Sequence, residues 1–392
     1  MSRLAWITED RQIATSNADG TDARLLTTSF PRGFGSWNQL APSQLTWSWP
    51  TWSPDGAWVA GFAVEGSDER TGPVRVVAQR LDGSEEVVWD TGSDALPIYM
   101  QWRPDGAALA VLSQRRSELS LAVVAGNRLG VPVPVEAGVP LFFSWTPDGT
   151  RILVHTSTPG ASGGRMVLRD PLGDADDVPY ELAPGSFCAP VFAGSSAIWA
   201  TPDDGGSLVY ASNREGGRGR PLVNRKGLLA LVPAPGGSPL LAVSNAVGGE
   251  GSPYGGIELI DLRDGSLRTL TRMECLAFFW SPTADWLLVA QVAADENCLR
   301  WWKLPIDGRD PVDLGTFWPT REVVFYLHFF DQYTTSHPLV SADGRHVAFA
   351  GYPAGGGQAD LSRPPRVYLK DTERPEAPAV EVDGGSFAVF SA

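Results

Sequence analysis

The sequence predicts an all-β fold built from one repeated unit, and three observations support this. Among the 392 residues are 43 Gly and 32 Pro, spread along the chain, so turns are frequent and long helices are disfavoured. A hairpin phrase recurs as WSPDGAWVAG from Trp52, WRPDGAALAV from Trp102 and WTPDGTRILV from Trp145. Hydrophobic residues make up 43% of the chain and charged residues 19%, which favours a packed interior over disorder.

The first hairpin of the unit is explained by its turn. In S-P-D-G, Pro presets φ, Asp accepts hydrogen bonds from nearby backbone, and Gly accepts the positive φ that closes the turn. The flanking aromatic and small apolar runs suit strands buried on both faces. The phrase weakens at Pro190 and Pro233 and returns at Pro282 and Ala342. Successive copies therefore lie about 43 to 60 residues apart, the spacing of four-stranded propeller blades.

A second hairpin also recurs, and it alternates with the first along the chain. It consists of a strand with apolar–polar alternation, a D-G-type turn and a shorter outer strand. Its eight copies start near Ile13, Val74, Leu119, Met166, Leu208, Ile257, Leu299 and Val367. Two hairpins per unit make four strands.

The chain ends complete the set of units. The first hairpin has seven copies against eight of the second, and pairing of Leu4 to Thr8 with Ser386 to Ala392 supplies the missing strands. We therefore expect an eight-bladed β-propeller of four-stranded antiparallel blades, closed by the C-terminal strand on the N-terminal blade, with residues 1–392 forming a single domain. A seven-bladed ring is the alternative, because the hairpins at Pro190 and Pro233 are degenerate.

The two alternating phrases resemble a known repeat. W-S-P-D-G hairpins interleaved with hairpins such as TSNADGTDARLLT are similar to the TolB-like propeller repeat, a relative of the WD repeat, over nearly the whole chain. The segment FFDQYTTSHPLVSADGR resembles a stretch found in an uncharacterised bacterial subgroup of TolB-like proteins. The resemblance implies a propeller that binds proteins or small ligands or gates a peptidase, and it assigns no activity.

Charge and hydropathy exclude several partners. The net charge of −14 repels phosphate backbones, so we expect no nucleic acid partner. No segment approaches 18 uninterrupted apolar residues, and the N-terminus has no apolar signal core, so we expect a cytoplasmic protein that does not bind membranes.

Motifs for metal or nucleophilic chemistry are weak. The cysteines Cys188, Cys275 and Cys298 are odd in number and widely spaced, which predicts buried apolar roles. The four histidines show no metal-ligand spacing, so we expect no metal or other cofactor. GASGG around Ser162 matches G-x-S-x-G, but it joins two predicted strands, whereas a nucleophile elbow needs a strand before it and a helix after it.

A long insertion precedes the last copy of the first hairpin, at Ala342, and is the main candidate site. FWPTREVVFYLHFFDQYTTSHPLV adds roughly 20 residues, and surplus length in a regular repeat usually marks a functional loop. Thr320 as N-cap and Glu322 in the first turn predict a short helix from about Arg321 to Phe330. Polar side chains then follow beside aromatic ones: Asp331, Gln332, Tyr333, Ser336 and His337.

A second long connection, TSFPRGFGSWNQLAPSQLTWSWPTW, precedes the first S-P-D-G hairpin. It contributes Arg32, a possible contact for an anion or carboxylate, and Trp37, which would extend an aromatic rim. Together with the five polar residues of the insertion, these two complete the candidate ligand-binding set.

Two functions follow from this site. The first is a non-catalytic scaffold that binds a protein, a peptide or a small ligand on the channel face. The alternative is an enzyme acting on a glycan or peptide-like substrate at the channel mouth, with Asp331 and His337 as acid and base and Gln332 or Tyr333 orienting the substrate. The enzyme requires Asp331 and His337 to share an open pocket. If instead both are buried and hydrogen-bonded, they pin the loop in place.

Overall fold

The structure is a computed structural model that describes residues 2–27, 45–65, 74–90, 95–125, 131–157, 164–213, 215–248, 253–293, 298–355 and 358–392. Most of these residues lie in β-strands, and within the described ranges the helices are short. The predicted all-β class is therefore confirmed. No helix in the described part of the chain is long and apolar enough to cross a membrane.

The strands, numbered along the chain, form antiparallel sheets. The N-terminal strands are β1 (Arg3–Thr8), β2 (Ile13–Asn17) and β3 (Arg24–Leu25). Five four-stranded sheets follow. They contain β4 (Leu45–Trp52), β5 (Trp58–Glu65), β6 (Val74–Arg80) and β7 (Glu86–Asp90); β8 (Leu96–Trp102), β9 (Ala108–Arg115), β10 (Glu118–Ala125) and β11 (Val133–Gly138); β12 (Leu141–Trp145), β13 (Ile152–Ser157), β14 (Gly164–Arg169) and β15 (Val178–Pro179); β16 (Val191–Ala193), β17 (Ser196–Asp203), β18 (Gly206–Ser212) and β19 (Arg220–Arg225); β20 (Leu229–Pro233), β21 (Leu240–Asn245), β22 (Ile257–Asp261) and β23 (Leu267–Thr271).

The remaining elements follow the same plan, apart from the insertion. They are β24 (Ala277–Trp280), β25 (Trp286–Ala293), β26 (Cys298–Pro305), β27 (Val312–Pro319), α1 (Arg321–His328), α2 (Phe330–Tyr333), β28 (His346–Tyr352), β29 (Ala354–Gly355), β30 (Gln358–Ala359), β31 (Arg366–Asp371) and β32 (Val380–Phe390). The predicted second hairpins correspond to β2, β6, β10, β14, β18, β22, β26 and β31, each starting within two residues of its predicted position.

The repeated turn has the predicted chemistry. In each S-P-D-G copy the Asp carboxylate accepts the backbone N–H two residues further on: 3.0 Å from Asp55 to Ala57, 2.9 Å from Asp105 to Ala107 and 3.0 Å from Asp148 to Thr150. Gly56 adopts φ 67°, the left-handed conformation that closes the turn. The turn is thus specified locally, by its own side chains.

The Trp before the turn links one sheet to the next. Its indole N–H donates to a backbone carbonyl of the first strand in the preceding sheet. These bonds are Trp52 to Val389 (3.3 Å), Trp102 to Thr51 (3.2 Å), Trp145 to Gln101 (3.3 Å) and Trp280 to Val232 (2.9 Å). At these four positions, the tryptophan that recurs in the sequence therefore makes the same contact between neighbouring sheets.

The degenerate hairpins lack this contact. Ala234 N–H bonds to Leu240 O as Ser53 N–H bonds to Trp58 O, so Pro233 occupies the Trp position in β20. In β16 the strand ends at Ala193, which pairs directly with Ser196 across a tighter turn. Both hairpins exist, as predicted, but neither has an indole to reach its neighbour.

The two chain ends pair with each other. β32 bends from one partner to another: its first half pairs with β31 and its second half with β1, where Leu4 faces Phe390 and Ile7 faces Phe387. Ser391 N–H also bonds to Arg3 O at 2.8 Å. The predicted pairing of the terminal segments is therefore present.

The core lies between sheets. Phe62 and Val76 of one sheet pack in a single cluster with Met100 and Leu109 of the next. Because each apolar face is covered by a neighbouring sheet, strands such as β25 are buried along most of their length.

The pairing of the chain ends predicts that substitutions in the two halves of β32 change the free energy of unfolding by different amounts. Val389 in the second half of β32 is 0% exposed, whereas Val380 in the first half is 63% exposed. We expect Val389→Ala to lower the free energy of unfolding by about 2 kcal/mol, since buried methyl groups are lost. Val380→Ala, the matched control, should change it by less than about 0.5 kcal/mol. Urea unfolding measures both, and equal effects would show that the terminal pairing does not carry stability.

Candidate functional site

The insertion begins as predicted. The Thr320 hydroxyl accepts the Val323 N–H at 3.2 Å, and Glu322 lies in the first turn of α1. The prediction of one helix to Phe330 is corrected in one respect: Phe329, with φ −116° and ψ 29°, separates α1 from α2. Phe330 is 0% exposed and lies 4.9 Å from the Phe278 ring. This packing position, which the local sequence does not encode, accounts for the break.

The insertion packs against first strands of several sheets. Tyr326 stacks on Phe279 of β24 at 5.5 Å. Tyr333 stacks on Trp49 of β4 at 5.3 Å and meets Tyr99 of β8 edge-on at 5.1 Å. Helices α1 and α2 thus lie where first strands from different sheets converge.

His337 is buried in a hydrogen-bond network. It is 1% exposed, and its Nδ1 lies 2.8 Å from Ser336 Oγ while its Nε2 lies 2.9 Å from Thr51 Oγ1. The Tyr326 hydroxyl donates to the His337 carbonyl at 2.7 Å. Desolvation lowers the pKa of His337 to about 3, so the ring is neutral, with one nitrogen donating and the other accepting. His337 therefore ties the insertion to β4.

Ser336 and Tyr333 also lie in the interior. They are 7% and 5% exposed. The Tyr99 hydroxyl donates to Gln332 O at 2.9 Å and lies 3.1 Å from Ser336 Oγ. Burial raises the pKa of Tyr99 to about 12, so it stays a donor at neutral pH. These contacts hold the insertion against β8.

Asp331 and Gln332 have a different environment, because both line two cavities. The first, the axial cavity, has a volume of ≈ 370 Å³. It is lined by the first strands of the five four-stranded sheets, at Thr51, Gln101, Phe143, Val191 and Pro233, and by Phe390 of β32. The second, the mouth cavity, has a volume of ≈ 590 Å³, and Ile98, Val139, Phe142, Phe187, Phe325 and Phe329 contribute to its lining. Asp331 therefore lies at the boundary between them.

The Asp331 carboxylate pairs with no cationic side chain in the described part of the chain. Desolvation raises its pKa to about 6, and backbone N–H groups of Gln332 and Asp331 itself act in the opposite direction. Burial raises the pKa values of Tyr99, Tyr254 and Cys188, and the negative charge of Asp331 raises them further. A carboxyl group in such surroundings changes charge close to physiological pH.

The mouth cavity opens through exposed apolar side chains. Val139 is 49% exposed, Phe187 55%, Val324 52% and Phe325 45%, and all four line the cavity. Contiguous exposed apolar surface around a concavity is typical of a binding site. Phe325 belongs to the insertion, for which the sequence predicts aromatic side chains, whereas Val139 and Phe187 were not predicted. Val139 and Phe187 each lie a few residues before the first strand of a sheet. An apolar residue at that position of the sequence is the signal that could have predicted the rim of the mouth cavity.

The other sequence candidates lie elsewhere. Arg32, Trp37 and Ser162 fall outside the described residues. The three cysteines are free and buried, as predicted. In the described ranges, no group of three or more His, Cys, Asp or Glu side chains is arranged to hold a metal ion.

Comparison with known proteins supports the fold. The chain matches no protein-family model and no curated protein sequence. A solved prolyl endopeptidase aligns over 88% of this chain at 12% identity and a TM-score of 0.59, and the chain spans 50% of that protein's length. The β-propeller domain of the Trilobed protease from Pyrococcus furiosus aligns over 87% of this chain and 98% of its own length, at 10% identity and a TM-score of 0.53.

TolB is also among the similar structures. TolB from Acinetobacter baumannii aligns over 79% of this chain and 62% of its own length at 14% identity, with a TM-score of 0.42 that is too low to carry an argument. Identities in this range show a fold and no activity. The Pyrococcus propeller domain and the four-stranded antiparallel sheets together support the predicted β-propeller fold.

The His337 network predicts a large difference between two histidines of the insertion. We expect His337→Ala to lower the free energy of unfolding by about 2–4 kcal/mol, because it leaves the Ser336 and Thr51 hydroxyls without their partner and opens a cavity. His328→Ala, at an exposed position of α1, should cost less than about 0.5 kcal/mol. Chemical denaturation at pH 8 compares them, and equal losses would contradict the network's role.

The raised pKa of Asp331 predicts a stabilising substitution. The folded state holds the proton up to about pH 6, so the ionised carboxylate opposes folding above that pH. Asp331→Asn should raise stability at pH 8 by on the order of 1 kcal/mol, and the gain should vanish as the pH falls towards 4. Thermal melts between pH 4 and pH 8 measure this, with the exposed Asp174→Asn as control. A loss of stability in Asp331→Asn at pH 8 would overturn it.

Proposed function

We propose that this chain is a non-catalytic β-propeller scaffold that binds a peptide or a small apolar ligand in the mouth cavity. The observation that carries the proposal is the mouth cavity itself, ≈ 590 Å³ of mainly apolar surface. Apolar pockets of this size with a few polar groups are the usual form of ligand sites.

We further propose that the scaffold is an eight-bladed ring. Five sheets are complete within themselves, and β24 to β27 make a sixth set. The seventh consists of β28, β31 and the first half of β32, with Val340 bridging to Val347. The second half of β32 with β1, β2 and β3 supplies the eighth. This grouping favours eight blades over seven.

The positions of the proposed acid and base, Asp331 and His337, favour binding over catalysis. The enzyme hypothesis needed Asp331 and His337 to face one open pocket. His337 is instead 1% exposed and bonded through both ring nitrogens, so it is unavailable to a ligand. The alignment with the prolyl endopeptidase covers only 50% of that protein, and its activity is a property of that whole protein.

A propeller enzyme acting on a glycan or peptide-like substrate at the mouth is the second candidate function. The observation in its favour is the Asp331 carboxyl, whose pKa of about 6 suits a general acid. It predicts turnover of a glycoside or peptide library that is lost in Asp331→Asn while that variant stays folded. Binding without turnover supports the scaffold.

The mouth cavity predicts where an apolar ligand binds. We expect wild type to enhance the fluorescence of the neutral apolar dye Nile red, and Phe187→Glu combined with Phe325→Glu to abolish the enhancement. Both positions are exposed, so folding should be retained. Leu25→Glu, at a 56% exposed position of the distant edge strand β3, is the control and should bind the dye as wild type does. Equal dye binding by all three proteins would contradict the proposed site.

A further inference from the structure

We propose that the mouth cavity selects ligands that carry one positively charged ammonium group on an apolar body, with the ammonium paired to the Asp331 carboxylate. This inference rests on the proposed function, because it names the chemistry of the ligand for that same cavity. The ammonium could belong to a small amine or to the N-terminus of a peptide.

The position of Asp331 gives the cavity a charged inner end. Its side chain lines both the mouth cavity and the axial cavity, whereas the outer rim of the mouth is apolar at Val139, Phe187 and Phe325. A ligand that buries its apolar body between these side chains therefore brings its end group to the carboxylate.

The groups that face Asp331 leave its charge uncompensated. Tyr99 on β8, Tyr254 after β21 and Cys188 before β16 are neutral at pH 7, because burial raises the pKa of each. Strands β20 and β24, against which α2 packs, contain no charged residue. His328 also lines the cavity, at its exposed side. Within the described residues, no Lys or Arg lines the mouth cavity.

An uncompensated carboxylate in an apolar cavity opposes folding, so its presence calls for a role. Buried charges are ordinarily paired or hydrogen-bonded by other side chains. Asp331 lies among apolar and phenolic side chains, where a leucine or asparagine would cost less. A ligand ammonium supplies the missing pair, and it does so where the low local dielectric strengthens the attraction. The net charge of −14 adds a long-range attraction for cations.

The test uses three ligands of one shape: 4-phenylbutylamine, 4-phenylbutanol and 4-phenylbutyrate. By calorimetry at pH 8, wild type should bind the amine at least about tenfold more tightly than the alcohol, and the butyrate most weakly. In Asp331→Asn the amine and the alcohol should bind equally, with the alcohol's affinity unchanged. Folding of the variant is checked by its thermal melt.

Wild type supplies a second measurement that needs no variant. The pKa of Asp331, about 6 in the free protein, places most of the carboxyl in its neutral form at pH 5. Amine affinity should therefore fall about tenfold between pH 8 and pH 5, while alcohol affinity should stay constant. An equal fall for both ligands would assign the pH effect to another group or to the fold and overturn the inference.

A comparison of two peptides distinguishes the two possible sources of the ammonium, a small amine and a peptide N-terminus. Phe-Phe-amide with a free N-terminus is compared with its N-acetylated form. A preference for the free peptide supports a peptide N-terminus as ligand, and a preference confined to phenylbutylamine supports a small amine. In either case Asp331→Asn must abolish the preference.

The remaining outcomes distinguish the two proposals. Equal binding of amine and alcohol by wild type, or a preference retained in Asp331→Asn, overturns the charge selection and leaves an apolar mouth site. Absence of binding by all three phenylbutyl ligands, together with absence of Nile red binding, overturns the proposed function and this inference together.

Discussion

The hydrogen bond from a repeated Trp to the preceding first strand sets the geometry on which the rest of the structure depends. A buried indole N–H usually finds a hydrogen-bond partner, and at Trp52, Trp102, Trp145 and Trp280 that partner is a carbonyl of the neighbouring sheet. Each bond fixes the spacing of two first strands. Several of these strands, among them β4, β8 and β20, line the axial cavity, so the tryptophan bonds contribute to the spacing of its walls.

The insertion occupies part of that space and converts it into two unequal cavities. Tyr326, Tyr333 and His337 attach it to first strands that are far apart in the chain, through ring packing and hydrogen bonds. The attachment leaves Asp331 and Gln332 facing the cavities. Rigid packing on one side of the insertion thus places the polar groups on its other side, which is how a ligand site is held without a flexible loop.

The fold could be predicted from the sequence because its signals are local. Asp148 accepts the N–H of Thr150, two residues away, and the turns at Asp55 and Asp105 repeat the same P-D-G sequence and the same bond. The site could be predicted only in part. Asp331 and His337 are close in sequence, yet one lines a cavity and the other bonds to Thr51, 286 positions away. Which side chain is buried depends on β4 and β8, and no pattern within the insertion encodes their approach.

The missing indoles make the contacts between neighbouring sheets unequal. First strands β12, β16 and β20 follow one another without a tryptophan bridge within the described residues. Apolar clusters join their sheets, together with bonds made by other strands, such as His155 Nδ1 to Cys188 O at 3.0 Å and the Arg225–Glu258 ion pair. Phe187 and Leu229, which line the mouth cavity, stand beside this stretch. On this side of the mouth, the position of a first strand is therefore set by packing and by bonds from other strands, and not by an indole bonded to the neighbouring first strand.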